Sequence, residues 1–383
     1  MSTLVAPAPR PTAAATVPTD RLWLHNKRWD LTFLTGSAIL GGIPLLLLHV
    51  FAVPVGVINL LVSGIIGGPH LYSTFGYTLA DRSYRKRYGW VLLPVLFIPA
   101  VVVWLALNNL NLLITMFFFW ASVHVLHQIA YISDAYRFKD PRPRTLWNRL
   151  IDYGVIFSAL YAASSSRLVN GGFVVGGGTA PREILLPEFV KGAAWVPALA
   201  VTAFVVLLAL YVSKTWREHR EGRLNVPSVT IIGTSIAMSL AIPQFPNIDI
   251  AFQGYNTWHS FQYLALVWYI NKLRKQRGEI HGPVMRAISG PGNAWKFYGL
   301  FLAATAVAFS LTLVLQHGFG WPRDAAYYGV VLGTLLVHYY LDGLNFFSWS
   351  RVLDVDPAAG ELARMSQSVP AAVAARAPEG AAA

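Results

Sequence analysis

The sequence predicts an all-α integral membrane protein, a polytopic bundle of about ten transmembrane helices. Three observations support this fold class. The 383 residues are 55% hydrophobic and 13% charged, with a mean hydropathy of +0.47, which is more apolar than a soluble globular domain. Ten apolar stretches approach the length of about 20 residues that crosses a hydrocarbon core. Basic residues are concentrated in alternate loops, as in multi-pass proteins of a cell membrane.

In chain order, each predicted span is an apolar stretch that ends at a polar, charged, Pro-containing or Gly-containing connector. The fifth stretch is the least apolar, because it contains Asp152 and a run of serines. The spans lie at 31–52, 55–80, 90–107, 110–134, 149–165, 193–213, 227–243, 251–271, 296–315 and 325–348. Together they form one predicted transmembrane domain, 29–352.

The segments outside the transmembrane domain are rich in alanine and proline. Residues 1–28 lack the continuous apolar core of a signal peptide, and we expect a disordered N-terminal arm. Residues 353–383 have a similar composition and predict a disordered tail.

The distribution of basic residues predicts the orientation of the chain. If the loops alternate, all but four of the 30 Lys and Arg residues lie on the side of both termini, and the exceptions are Arg167, Arg182, Lys191 and Arg323. This asymmetry places both termini in the cytoplasm, across the inner membrane if the protein is bacterial. Topology and anionic lipid also account for the net charge of +12, so no nucleic-acid partner is implied.

Four histidines fall at one predicted depth. Each lies twelve or thirteen residues before the first basic residue after its span: His70, His124, His259 and His338. At about 1.5 Å per residue, the imidazoles lie roughly 18–20 Å from the cytoplasmic charges. A single buried histidine is as readily a structural residue hydrogen-bonded to a neighbouring helix. Four at one level predict a shared functional site.

Polar residues recur at helical spacing beside these histidines and predict a metal site. Cysteine is absent, so any metal must use nitrogen and oxygen ligands. The predicted ligands are His70, His124, His127, His259, His338 and Asp342, with no catalytic residue beyond them. The predicted supporting residues, which would orient the imidazoles, are Gln262, Asn256, Asn345, Asp134 and Tyr77. The other histidines suit a surface or membrane-interface position: His25, His49, His219, His281 and His317.

The segment Gly67-Gly68-Pro69-His70 lies inside the second span. It resembles the Gly-x-Pro-His that opens a histidine motif in the bacteriorhodopsin-related-protein-like (Brp/Blh) membrane carotene dioxygenases. The resemblance implies a non-haem iron, held by intramembrane histidines, that cleaves carotene to retinal. That family continues with Gly, a small residue and an acid, whereas Leu71, Tyr72 and Ser73 follow here.

Four functions fit these residues. The leading hypothesis is a membrane oxygenase whose one or two non-haem irons use O₂ to oxidise or cleave a hydrophobic lipid or isoprenoid, with an electron-donor protein as partner. A zinc-dependent intramembrane lipid hydrolase fits three histidines and an acid. A bis-histidine haem protein for electron transfer would place its haems at two depths. An ion- or proton-coupled transporter would use the same buried residues as a relay.

Overall fold

The structure is a computed structural model that describes residues 19–140, 142, 144–175, 182–245, 248–280, 282–290 and 292–346. This part of the chain is helical apart from a two-stranded antiparallel ladder, in which β1 (Val174–Val175) pairs with β2 (Arg182–Glu183). The predicted tail at 353–383 and His281 lie outside the described residues. The all-α fold class is confirmed.

Ten helical segments follow the ten predicted spans in position. They are α1 (Lys27–His49), α2 (Val55–Tyr77), α3 (Pro94–Asn108), α4 (Leu110–Phe138), α5 (Leu146–Val169), α6 (Trp195–Arg220), α7 (Val226–Gln244), α8 (Ile248–Gln276), α9 (Ala294–Gly318) and α10 (Arg323–Phe346). Shorter helical turns cover Thr19–Leu22, Arg82–Tyr88, Gly89–Leu92 and Pro283–Ile288.

Six helices are long and apolar enough to cross a membrane: α1, α2, α4, α6, α7 and α9. A seventh span results if Tyr84–Leu92 is counted with α3, from which it is bent by 50°. The protein is therefore a multi-pass membrane protein. In α5, α8 and α10, buried polar side chains lower the hydropathy, because these helices carry groups such as Asp152, His259 and Asp342. The full count of ten spans and the cytoplasmic termini stay predictions.

Asparagine or threonine side chains define the starts of four of these helices, and Asn26 Oδ1 caps α1 by accepting from the Trp29 amide. Asn109 Oδ1 accepts from the Leu112 amide at the start of α4, at 3.1 Å. Thr145 and Asn225 cap α5 and α7 in the same way. Such caps satisfy amides that have no partner within the helix, so each span begins at a fixed residue.

Helices α1 and α2 each contain an irregular turn, at Leu31–Thr35 and Ser63–Gly67 respectively. In a membrane, backbone groups released by such turns must find partners inside the protein. The Leu34 carbonyl accepts from Trp258 Nε1 at 3.2 Å and from Gln262 Nε2. The turn in α2 directly precedes His70 and therefore contributes to the position of that imidazole.

Residues 22–28 of the N-terminal segment are folded against the bundle, which the predicted disordered arm at 1–28 did not anticipate. Trp23 and Leu24 are 4% exposed and pack in the main hydrophobic core. Asp30 Oδ2 accepts from the Leu24 amide at 2.6 Å, and Lys139 Nζ donates to the Trp23 carbonyl at 2.5 Å. Buried aromatic and aliphatic groups thus attach this segment to the bundle. The Pro- and Ala-rich composition of the residues before it gave no indication of this packing.

Candidate metal centre

Four imidazoles from four different helices meet inside the bundle. His70 lies on α2, His124 on α4, His259 on α8 and His338 on α10, and none is more than 5% exposed. Each histidine contributes one ring nitrogen, and these four nitrogens all lie within 4.8 Å of one another. We call these four residues the histidine cluster. The prediction that these four imidazoles share one interior is confirmed.

The rings of the histidine cluster form a closed cycle of edge-to-face contacts. Around the cycle, ring centroids are 4.5 Å apart for His70 and His338, 5.0 Å for His338 and His124, 4.9 Å for His124 and His259, and 4.8 Å for His259 and His70. The centre of this cycle is lined by ring nitrogens rather than by aliphatic carbon. Such a concentration of nitrogen lone pairs is suited to a cation.

Neighbouring polar groups orient His70. Its Nδ1 lies 3.2 Å from the Gly67 carbonyl and 3.1 Å from Ser260 Oγ, and Ser260 in turn donates to Asn256 Oδ1 at 3.1 Å. A proton on Nδ1 satisfies the carbonyl and leaves the Nε2 lone pair free. Nε2 is buried and has no hydrogen-bond partner among the described residues.

His338 is oriented by a chain of hydroxyl groups. Its Nδ1 lies 2.7 Å from Thr74 Oγ1, which lies 2.5 Å from the Tyr263 hydroxyl. Tyr263 donates to Asp342 Oδ1 at 2.5 Å. A chain of donors that ends on the carboxylate runs from His338 Nδ1 through Thr74 and Tyr263 to Asp342. In this direction the His338 proton lies on Nδ1, and Nε2 is an acceptor inside the cluster.

Asp342 lies one helical turn after His338 and borders the cluster with its second oxygen. Oδ1 also accepts from the Tyr77 hydroxyl at 3.3 Å. Oδ2 lies 3.5 Å from His338 Nε2 and 3.9 Å from His124 Nε2, and it has no hydrogen-bond partner among the described residues. The carboxylate is thus held on one side and directed at the imidazoles on the other.

His259 is positioned by its backbone, since both of its ring nitrogens lack hydrogen-bond partners in the described part of the chain. Gln128 Nε2, one turn after His124, donates to the His259 carbonyl and to Gln262 Oε1, at 3.1 Å each. This link fixes α4 against α8 at the level of the site. Because no hydrogen bond fixes its tautomer, either nitrogen of His259 can face a cation.

Two predicted residues lie apart from the histidine cluster. His127 is half-buried and does not belong to the histidine cluster. It follows His124 by three residues, so its side chain points about 60° away from that of His124 around the helix axis. Asp134 pairs with Arg144 and with Arg149, the latter at 2.9 Å, and accepts from the Tyr153 hydroxyl. Its charge is therefore compensated by α5 and the loop before it.

The predicted supporting residues divide by the contacts they make. Tyr77 contacts Asp342, and Asn256 reaches His70 through Ser260 rather than the histidine of its own helix. Gln262 donates to α1 instead of to an imidazole. The side chain of Asn345 lies outside the described residues.

Three groups that support the site were absent from the predicted set: Thr74, Ser260 and Tyr263. Thr74 follows His70 by four residues and Tyr263 follows His259 by four, so helical spacing alone would have placed both on the inner face. Ser260 follows its histidine directly. No spacing rule associates it with His70, because that contact depends on how α2 packs against α8.

The fold and the histidine cluster define a class of protein, a polytopic helical membrane protein with a buried site that could bind a metal ion. Comparisons with protein-family models, curated proteins and solved structures gave no match.

Proposed function

We propose that the protein is an integral-membrane metalloenzyme. In this proposal the histidine cluster holds a non-haem iron that uses O₂ to oxidise or cleave a lipid or isoprenoid. One observation carries the proposal: Nε2 of His70 and of His338, both ring nitrogens of His259 and Oδ2 of Asp342 are buried and lack hydrogen-bond partners among the described residues. Each such group lowers the stability of the folded protein by about 1–3 kcal/mol when it has no hydrogen-bond partner. A cation at the centre would satisfy one nitrogen of each of these imidazoles together with the carboxylate oxygen.

The donor set fits one ion of a first-row transition metal. Metal–imidazole bonds of about 2.0–2.1 Å place ligand nitrogens roughly 3–4 Å from one another. The cluster nitrogens, within 4.8 Å of each other, reach that spacing with small ring movements. Neutral imidazole suits iron, copper, zinc and nickel. Asp342 is the carboxylate at hand, and Asp134 is engaged elsewhere, so the structure favours one ion over two.

Two features support iron and a substrate from the membrane. A cavity of about 160 Å³ borders His70 and is lined largely by aromatic and aliphatic side chains, including Phe117, Phe252 and Tyr339. The Gly67–His70 segment resembles the motif of the iron-dependent Brp/Blh family. When bound, iron would supply the activation of O₂.

The residues around the ion would perform the remaining tasks. The aromatic walls of the cavity would exclude water and confine a reactive species. Thr74 and Tyr263 would hold His338 in the tautomer that presents Nε2 to the ion. Asp342 would balance the charge of the cation. Electrons, where the reaction needs them, would come from a partner protein.

A zinc-dependent lipid hydrolase is the second candidate, and the position of Asp342 favours it. A carboxylate oxygen 3.5 Å from a ligand imidazole could accept the proton of an attacking water. The cycle of touching rings argues against haem, because a porphyrin needs to lie between its two axial imidazoles. No described contact favours a transporter.

Isotope-labelled oxygen distinguishes the two candidates. The iron-loaded and zinc-loaded forms of the full chain would be incubated in lipid nanodiscs with a total membrane lipid extract, and products followed by mass spectrometry. We expect the iron form to incorporate label from O₂ into a lipid product and the His338→Ala variant to incorporate none. Label entering from water, with zinc and without O₂, would replace the oxygenase with the hydrolase.

A further inference from the structure

The cavity beside His70 is an elongated slot. It is lined by α2 from Asn59 to Tyr72 and by α10 from Tyr327 to Tyr339, with further residues from α4, α8 and α9. Asn59 and His70 are eleven residues apart, which corresponds to about 16 Å along a helix. One end of the slot therefore reaches the histidine cluster, and the other lies at the level of Asn59.

The walls of the slot carry no Lys, Arg, Asp or Glu among the described residues. A carboxylate or phosphate group inside it would lose its hydration without gaining a counter-charge, which is strongly unfavourable. Most of the lining is aromatic or aliphatic, as a lipid chain requires. The occupant is therefore a neutral molecule with a long apolar part.

Asn59 is a polar residue of the lining, at the end of the slot far from the metal site. Asn59 Oδ1 is a buried acceptor with no hydrogen-bond partner in the described part of the chain. The two other amide oxygens of the lining are engaged, since Gln253 Oε1 accepts from Asn256 Nδ2 at 3.2 Å and Asn256 Oδ1 accepts from Ser260. An acceptor without a donor is matched by a hydroxyl group, which can donate to it.

The slot can receive its occupant from the membrane. Ala308 and Phe309 of α9, with Tyr327 and Tyr328 of α10, line the slot and are only half-buried. Their neighbours on α9, Val307 and Leu311, are 69% and 48% exposed, as expected for a surface that faces lipid. A hydrophobic molecule in the bilayer therefore meets the slot between α9 and α10 without passing through water.

We propose that the slot binds a neutral long-chain lipid alcohol, whose hydroxyl donates to Asn59 Oδ1 and whose chain extends to His70. The orientation rests on the proposed function in one respect, that the histidine cluster is the reactive centre. In this orientation the part of the lipid that reacts is a carbon of the chain, about 16 Å from the hydroxyl. The hydroxyl itself does not react.

Binding to the full-length protein in nanodiscs tests this directly. The probes are a tritiated long-chain prenyl alcohol, its methyl ether, which cannot donate, and the carboxylic acid of the same chain length. We expect the alcohol to bind about 5- to 10-fold more tightly than the ether, as one buried hydrogen bond provides. The acid should bind more weakly still. Equal binding of alcohol and ether, or tighter binding of the acid, would overturn the proposal.

Variants separate recognition of the hydroxyl from occupation of the slot. Asn59→Leu should lose the preference for the alcohol over the ether and keep its binding of the ether. Ala308→Trp, which fills the slot, should lose both ligands, whereas Leu313→Trp, at a 55% exposed position on the same helix, should keep both. An unchanged preference in Asn59→Leu would contradict the assignment of the hydroxyl.

Metal content measured on the same samples keeps the two proposals apart. Wild type that binds the alcohol but carries no metal would contradict the proposed enzyme and leave the lipid site standing. Wild type that carries metal but does not discriminate among the three probes would contradict the lipid site and leave the metal centre standing.

Discussion

Asp342 Oδ2 lies 3.5 Å from His338 Nε2, one helical turn along α10, with both side chains fully buried. A carboxylate and an imidazole in this relation can bind one cation together, and the charge of the carboxylate would increase the attraction for that cation. The other oxygen is held by Tyr263 and Tyr77, so the carboxylate cannot easily rotate away.

Replacing Asp342 with Asn tests the contribution of this charge. The variant keeps the size and most hydrogen-bonding capacity of the side chain but loses its negative charge. We expect metal affinity to fall about 10- to 100-fold, a magnitude typical for partners that support metal ligands. Competition with a chromophoric chelator measures it. An affinity equal to that of wild type would mean that the carboxylate does not act on the ion.

Removing the hydroxyl chain tests how the tautomer of His338 is set. Thr74→Val preserves shape but deletes the group 2.7 Å from His338 Nδ1. We expect about 10-fold weaker metal binding with an intact fold, because the imidazole loses its fixed orientation. Thr312→Val, at a buried threonine of α9 whose hydroxyl donates to the Ala308 carbonyl of its own helix, provides the control. Equal affinities in the two variants would contradict this role.

A buried ion-pair network below the histidine cluster predicts a large effect on stability. Asp152 contacts Lys214, Arg144 Nη2 at 3.0 Å and Arg137 Nη2 at 3.7 Å, and it is fully buried. Asp152→Ala leaves these cations without their shared anion and should destabilise the protein by about 3–5 kcal/mol.

Glu188→Ala is the surface control for Asp152→Ala. It removes an exposed carboxylate whose partner Lys191 is 51% exposed, so the expected loss is about 0.5 kcal/mol. Unfolding in detergent, followed by circular dichroism, measures both values. Similar losses in the two variants would show that burial of Asp152 does not set the size of its effect.

The contact between α2 and α9 depends on Gly68. A β-carbon at Gly68 would collide with the side chain of Thr305, whereas one at Gly299 of α9 would meet open space. Gly68→Ala should destabilise the protein by about 1–3 kcal/mol through overpacking. Gly299→Ala should be neutral or stabilising, because alanine favours a helix. Thermal unfolding compares the two, and a neutral Gly68→Ala would contradict the close helix contact.

The sequence was sufficient to predict the main features of the site because depth in a membrane can be read from the basic residue that ends each span. This reasoning brought His70, His124, His259 and His338 to one level, and the structure places them in contact. Helical spacing also identified Asp342 correctly as a neighbour of His338. Both rules are local, and each concerns a single helix.

The rest of the site depends on contacts between helices that no single-helix rule contains. Ser260 orients His70 because α8 packs beside α2 at that level. His127 was expected to join the cluster on the basis of its separation from His124, but a rotation of about 60° directs its side chain elsewhere. The irregular turn in α1 was not predicted, because it depends on Trp258 and Gln262 of α8, which donate to the Leu34 carbonyl.

Metal analysis of purified protein tests the central claim most directly. Wild type, His338→Ala and His219→Ala would be prepared in mild detergent, analysed by inductively coupled plasma mass spectrometry, and examined by optical spectroscopy. His219 is exposed at the end of α6 and serves as the control. The proposed centre predicts about one iron per chain without a Soret band in wild type and in His219→Ala, and none in His338→Ala. Metal retained in full by His338→Ala, or absent from wild type after gentle purification and reloading, would contradict it.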